Sequence, residues 1–477
     1  MNHLAVLGTS SHVGKSMVVA GLCRVLAREG LAVAPFKAQN MALNAYVALD
    51  GGEMGYAQAL QAWAAGLEPT VDMNPILMKP GADGQAQLIV QGKVETRRPS
   101  RTWLEQQARA SFDRLAQTYD VILMEGAGSP VELNLWEGDL ANLALPRYAK
   151  ASLILVGDID RGGVFASLHG TLALLPAEDR ERVQGVLINK FRGNPALFED
   201  GVAIIERLTQ TAVLGILPYW AFSLPEEDGV GLESKPSQWT RPGFRVSVAV
   251  LPHISNFTDL AALEREPAVS LAWHREPPDQ RPDLVVLPGS KATLADLEWL
   301  HKSGWAERII QWQRQGTALL GVCGGFQMLG QWVCDPHHVE GSREKVAGLN
   351  LIPAVTTMKP MKITRRRQAT VVAREFGHIR VDGYEIHNGD TKIQGVHRPL
   401  LAWDDGTKDG YVSEDSQVIG TYLHGILDGE LFRRAFLARW GVPGGAGADP
   451  VEEGLKQLEE VIREHVGVRT LLSLVGV

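Results

Sequence analysis

Cysteine is scarce in this chain: 477 residues hold only Cys23, Cys323 and Cys334. Three such residues at irregular spacing exclude a disulfide framework and a zinc-binding pattern, so each is judged by its own surroundings. Long apolar runs are also missing. None reaches the ~18 residues a membrane span needs, and the opening MNHLAVLGTS has no basic segment followed by a long apolar stretch, which points to a cytoplasmic chain. Nor is there an excess of positive charge. The 47 basic and 55 acidic residues leave a formal charge of −8, which offers no broad footprint for nucleic acid or an anionic membrane. Any anionic ligand must be held locally.

Length and glycine are what the chain has in plenty. Hydrophobic cores stop growing at roughly 250–300 residues, so 477 residues imply two large domains. Fifty glycines leave room for many tight loops. Short apolar runs alternate with helical patterns through the first half: 3–7, 15–29, 31–36, 121–125, 152–156 and 184–189. This predicts an α/β domain with a mainly parallel open sheet over residues 1–235. The stretch KPSQWTRPG breaks the pattern and is assigned as a linker, 236–244. Apolar runs at 245–251, 283–287 and 317–322 then open a second α/β sheet domain over 245–440. Beyond it, GVPGGAGADP reads as a flexible spacer and Leu455, Leu458, Val461 and Ile462 as a helical tail, together 441–477.

The segment GTSSHVGKS, from Gly8 to Ser16, follows a strand and opens a helix, the setting a phosphate loop requires. Gly8, Thr9, Val13 and Gly14 would present backbone around phosphate oxygens, Lys15 would neutralise charge, and Ser16 would ligate Mg²⁺. Five residues separate Gly8 from Gly14 where the common pattern has four. Several strand ends could face the same crevice. Glu125 after the strand 121–125 is a metal candidate, and Asn189 can read a nucleotide base. Lys37, Gln39 and Asn40, with Asp158, Asp160 and Arg161, are candidate phosphate or substrate contacts. A polar turn accounts for the 37–40 group equally well.

In TALLGVCGGFQMLG, residues 317–330, a buried strand meets a sharp turn at Cys323 and then a helix from about Phe326. A nucleophile at such a turn has an exposed side chain, and the helix start favours thiolate and a negatively charged intermediate. His424 in TYLHGIL is the candidate base. Backbone N–H groups of Gly289 and Gly324 could stabilise an oxyanion. Cys23 and Cys334 lack comparable surroundings and read as structural.

The longer phosphate loop resembles that of the dethiobiotin synthetase group of ligases, and Cys323–Gly330 with His424 resembles the class I glutamine amidotransferases. The usual His-x-Glu is absent, since His424 is followed by Gly425 and Ile426. That departure is characteristic of the cobyric and cobyrinic acid synthase branch. The chain resembles the cobyric acid synthase family most closely, from GTSSHVGKS through FKAQNM, EGAGSP, DIDRGG, NKFRG, LPGSKAT and CGGFQMLG to GYEIHNG and YLHG. The resemblance implies ATP- and Mg²⁺-dependent, glutamine-hydrolysing amidation of a corrin polycarboxylate: the b, d, e and g side chains of adenosylcobyrinic acid a,c-diamide, in cobalamin synthesis. It leaves open which group, if any, orients His424. The alternatives are the sister a,c-diamide synthase or another polycarboxylate amidotransferase and, outside enzymes, a nucleotide-switched regulatory ATPase.

Overall fold

The computed structural model describes residues 2–80, 86–220, 224, 232, 235–445 and 450–477. Its first unit is built on the strand Leu4–Gly8, whose five residues are all buried. A strand covered on both faces reads as a continuous apolar run, and this one lies inside a parallel sheet. From edge to edge the six strands are Val213–Pro218, Val183–Phe191, Ser152–Asp158, Leu4–Gly8, Val121–Glu125 and Val33–Phe36. Their order reverses beside Leu4–Gly8, so the carboxyl ends of Leu4–Gly8 and its neighbours open a crevice for a ligand.

The helix Lys15–Arg28 covers one face of this sheet. The helix Pro450–His465 packs on that helix in turn, with Leu455, Leu458 and Ile462 each at most 1% exposed. A Cβ on Gly21 would stand 2.6 Å from Ile462 Cγ1, so glycine lets the two helices approach. Arg24 adds ion pairs with Glu452 and Glu459. Burying three such apolar side chains is worth about 1.5–3 kcal/mol each. The helical tail therefore completes the core of the first unit. The expected spacer lies partly outside the described residues, at 446–449.

A second sheet runs Val269–His274, Phe244–Ala249, Leu284–Leu287, Ala318–Val322, Val418–Thr421 and Tyr411–Val412, parallel except for the last pair. Both sheets are open and mainly parallel, the fold class expected from the alternation of strand and helix. A long antiparallel hairpin, Ala354–Val371 with Arg380–Ile393, extends from the second unit towards the first. There Tyr384 and Ile386 join Ala42, Ala45, Val47, Leu77 and Ile89 in one small apolar cluster. Arg366 of the hairpin reaches Glu68 and the Val47 carbonyl. The basic run Arg365–Arg367 is thus part of a strand, with Arg365 and Arg367 paired to Glu385.

Candidate active site

At the first crevice the chain turns at Gly14, whose φ of 95° suits a residue without a side chain. Lys15 Nζ donates to the carbonyls of Ser10 and Gly128 at 3.0 and 2.8 Å. Ser16 Oγ donates to Glu125 Oε1 at 2.9 Å, and Lys37 Nζ meets the same oxygen at 2.8 Å. Gln61 and Gln58 donate to the other carboxylate oxygen, at 2.6 and 3.3 Å. Burial pushes the Glu125 carboxyl up, but Lys37, Gln61 and Lys15 together hold it below the ordinary range. The loop, Lys15, Ser16 and Glu125 therefore lie together, and Lys37 joins them through Glu125.

Other expected contacts are engaged differently. Asn189 donates its amide to Val13 O at 2.7 Å, and its Oδ1 accepts from Lys190 N. Asn189 therefore braces the phosphate loop with one N–H and one lone pair, which leaves its second N–H and second lone pair for another partner. Asp158 pairs with Lys190 at 2.9 Å, and Asp160 pairs with Arg192. Lys190 also donates to His12 O, which ties this group to the loop's outer side. Arg161 is exposed and stands 3.9 Å from Asp158. Asn40 donates to Gln58 Oε1 at 3.0 Å, one step removed from Glu125, and Gln39 rests against Met78. Thr9 N donates to Val156 O, and Val13 is buried against Gly8. Among the described residues no group of three His, Cys, Asp or Glu side chains could hold a metal alone. The Ser16–Glu125 pair does fit a Mg²⁺ ion whose other ligands come from phosphates and water.

In the second unit the buried strand Ala318–Val322 ends at Cys323, which has φ 51° and ψ −108°, and the helix Gly324–Leu329 begins at the next residue. The helix starts two residues before the expected Phe326. A Cβ on Gly325 would lie 1.9 Å from Leu287 O, so only glycine allows the elbow to pack on the neighbouring strand. Strain of this kind at a single non-glycine residue is typical of a nucleophile elbow.

His424 is 1% exposed and is oriented by a residue the sequence did not reveal. Its Nδ1 lies 2.7 Å from Asp259 Oδ2, while Asp259 Oδ1 accepts from Gly425 N at 3.0 Å. Burial presses the imidazolium down, but Asp259 and Cys323 outweigh it and raise His424 to about 10. The ring also stacks on Tyr384, 5.2 Å between centroids. His387, by contrast, stacks on Tyr422 and bonds Glu385 and Gly389 O.

Gly324 lies against the peptide nitrogen of Ser290, 2.8 Å from where its Cβ would be. Gly289 instead packs on Ser255 and the edge of His424. The amide that faces the elbow is therefore that of Ser290, one residue beyond the expected Gly289. Gln327, one helical turn after Cys323, donates to Tyr422 at 3.1 Å. Its Oε1 is buried with no partner among the described residues.

The narrow cavity at Cys323 is walled by His424, Gln327, Lys291 and Lys362 and, from the first unit, by Lys79. Lys79 and Lys362 approach opposite oxygens of the buried Glu53, Lys79 at 2.8 Å. Burial pushes this carboxyl up, yet the two ammonium groups hold it down at about 2. A charged cluster shared by both units thus closes one side of the thiol pocket.

Comparison with known proteins finds a family match in each half of the chain. Residues 4–228 match the family model described as the CobQ/CobB/MinD/ParA nucleotide binding domain, and 245–432 match the CobB/CobQ-like glutamine amidotransferase domain. A cobyric acid synthase of Rhizorhabdus wittichii is 46% identical over 99% of each chain. One of Salmonella agona is 43% identical over 98% of this chain and 97% of its own, and one of Gloeothece citriformis is 45% identical over 92% and 90%. Among solved structures, PurLQS from Thermotoga maritima has a TM-score of 0.31 at 16% identity, covering 47% of this chain and 98% of that one. The MinD cell division protein of Aquifex aeolicus has a TM-score of 0.27 at 14% identity, covering 46% and 84%.

Proposed function

The chain belongs to the cobyric acid synthase family, and from that premise we propose that it amidates the b, d, e and g carboxylates of adenosylcobyrinic acid a,c-diamide, taking nitrogen from glutamine. The observation that carries this reading is the buried Cys323–His424–Asp259 constellation in the same chain as the Lys15–Ser16–Glu125 loop. ATP, with Mg²⁺, supplies the phosphoryl group that turns an inert carboxylate oxygen into a leaving group. Lys15 and the loop amides hold phosphate charge, and Ser16 with Glu125 supplies the protein's oxygen ligands to the metal. Lys37 keeps Glu125 ionised for that task.

In the second unit Cys323 attacks the side-chain carboxamide of glutamine. The Gly324 and Ser290 amides are placed to receive the developing oxyanion. His424, held protonated between Asp259 and the thiolate, donates to the departing ammonia, and water then releases glutamate from the thioester. The unpartnered Gln327 Oε1 accepts a hydrogen bond from the substrate. Free thiols at Cys23, Cys323 and Cys334 suit a reducing compartment and support a cytoplasmic reaction.

The test is purified protein with ATP, Mg²⁺, glutamine and the a,c-diamide, followed by mass spectrometry. Four successive conversions of acid to amide are expected. Amidation only of cobyrinic acid itself, at its a and c positions, would transfer the reading to the sister synthase. Nucleotide hydrolysis without glutaminase activity would favour a regulatory ATPase.

A further inference from the structure

The carboxylate that orients His424 is held in place by the other unit. Asp259 lies in the turn Phe257–Leu260, which follows Asn256, a residue with φ 52° that is 3% exposed. Asn256 exchanges hydrogen bonds with Ala45, accepting from its N at 3.4 Å and donating to its O at 3.3 Å. Asn44 Oδ1 accepts from Phe257 N at 3.2 Å. Asn256 also donates to the Tyr384 hydroxyl, and Tyr384 is the ring stacked on His424. Tyr46 then meets Tyr384 edge to face, 5.1 Å between centroids. Residues 44–46 of the first unit thus touch both supports of the imidazole, the turn bearing Asp259 and the Tyr384 ring.

We propose that Asn44 and Tyr46 are positioning residues for the glutaminase: docking of the 44–46 segment fixes Asp259 and Tyr384, and through them the place of His424 beside Cys323. This rests on the reading of Cys323 and His424 as the glutamine-hydrolysing pair. Seven residues before Asn44, Lys37 pairs with Glu125, so the stretch that supports the thiol site is also anchored at the phosphate loop. A left-handed, buried Asn256 has few ways to satisfy its amide if residues 44–45 withdraw, which makes the turn depend on its neighbour.

The test compares Asn44→Ala and Tyr46→Ala, with Tyr46→Phe as the conservative partner, in the full chain. Three quantities are read: glutamine hydrolysis, amidation at high ammonia, and the pH midpoint of the His424 imidazole by NMR of labelled histidine. Both alanine variants are expected to lower kcat for glutamine about tenfold with KM within threefold, and to leave ammonia-supported amidation within twofold. The His424 midpoint should fall below about 10 as Asp259 loses its place beside the ring, and Tyr46→Phe should restore all three. Unchanged kcat, a fall in kcat without the shift in midpoint, or an equal fall with both nitrogen sources would each overturn the proposal. If the unmodified chain hydrolyses no glutamine, the reading of the thiol site fails as well, whereas the variants bear on this inference alone.

Discussion

Among the described residues, the side chains that hydrogen-bond Glu125 at the phosphate-binding end, Ser16, Lys37, Gln58 and Gln61, precede it in the chain and belong to the same unit. The thiol pocket instead gathers Cys323, His424 and Asp259 from three separated stretches and takes one wall, Lys79, from the other unit. The electrostatics also run in opposite senses. Cationic and amide neighbours keep a carboxylate charged in the first site, whereas a carboxylate and a thiolate keep an imidazole charged in the second. A site assembled locally can form with its own unit. One assembled across the chain depends on the whole molecule, and its parts should be separable by nitrogen source.

Removing the chemistry outright gives the largest contrast. Lys15→Ala should abolish amidation with either glutamine or ammonia, by at least about 10³-fold, because charge on the transferring phosphoryl group loses its cation. Cys323→Ala should abolish only the glutamine-supported reaction and leave the ammonia-supported rate within about twofold, as steady-state rates with each donor would reveal. An ammonia-supported rate lost in a folded Cys323→Ala protein would break the division between the sites.

Asp259→Asn should come next, lowering glutamine-supported kcat about 10²-fold with little change in KM, since it disturbs orientation and charge and not substrate contact. NMR of labelled histidine reads the same change directly. In the unmodified protein His424 is expected to stay protonated until about pH 10, and in the variant to titrate nearer the ordinary value of about 6.5. The sign for stability follows from the raised value. The pair's contribution is fully present below about pH 6.5 and is lost as pH rises through about 10. Denaturation that shows no alkaline weakening relative to Asp259→Asn would count against the ion pair.

A smaller effect tests the first unit's core. Leu458→Ala should destabilise it by about 2–4 kcal/mol, the cost of deleting a fully buried leucine, and should lower the urea midpoint without altering the ratio of rates with the two nitrogen sources. The smallest is expected for Arg366→Ala. Its pair with Glu68 is partly exposed and worth about 0.5 kcal/mol, so both rates should stay within threefold.

Which of these parts the sequence disclosed follows from how far apart they lie. The two sheets were legible because each strand is a contiguous apolar run between glycine-rich turns. The phosphate loop and the cysteine elbow were legible because their geometry is local. Asp259 was not, for a single aspartate in NFTDL carries no signal of a histidine 165 residues away. The missing glutamate after His424 showed that a partner was needed without saying where. Asn189 stood out because it ends a strand, and nothing local shows that its amide also donates to Val13 O. Gln327 was within reach, being a lone polar side chain one turn after the nucleophile on a buried helix. The periodicity of Leu455, Leu458 and Ile462 revealed a helix but not the surface it covers.

That helix sets a timetable. The sheet of the first unit is finished by residue 218, but the outer face of the helix Lys15–Arg28 stays bare until Leu455–Ile462 have been made. At about 5–20 residues per second, synthesis of the intervening stretch takes roughly ten to fifty seconds. During that interval the ribosome carries a nearly complete nucleotide-binding unit with an apolar groove on its surface and a second unit folding beside it. A segment synthesised after the second unit is therefore the one that seals the first.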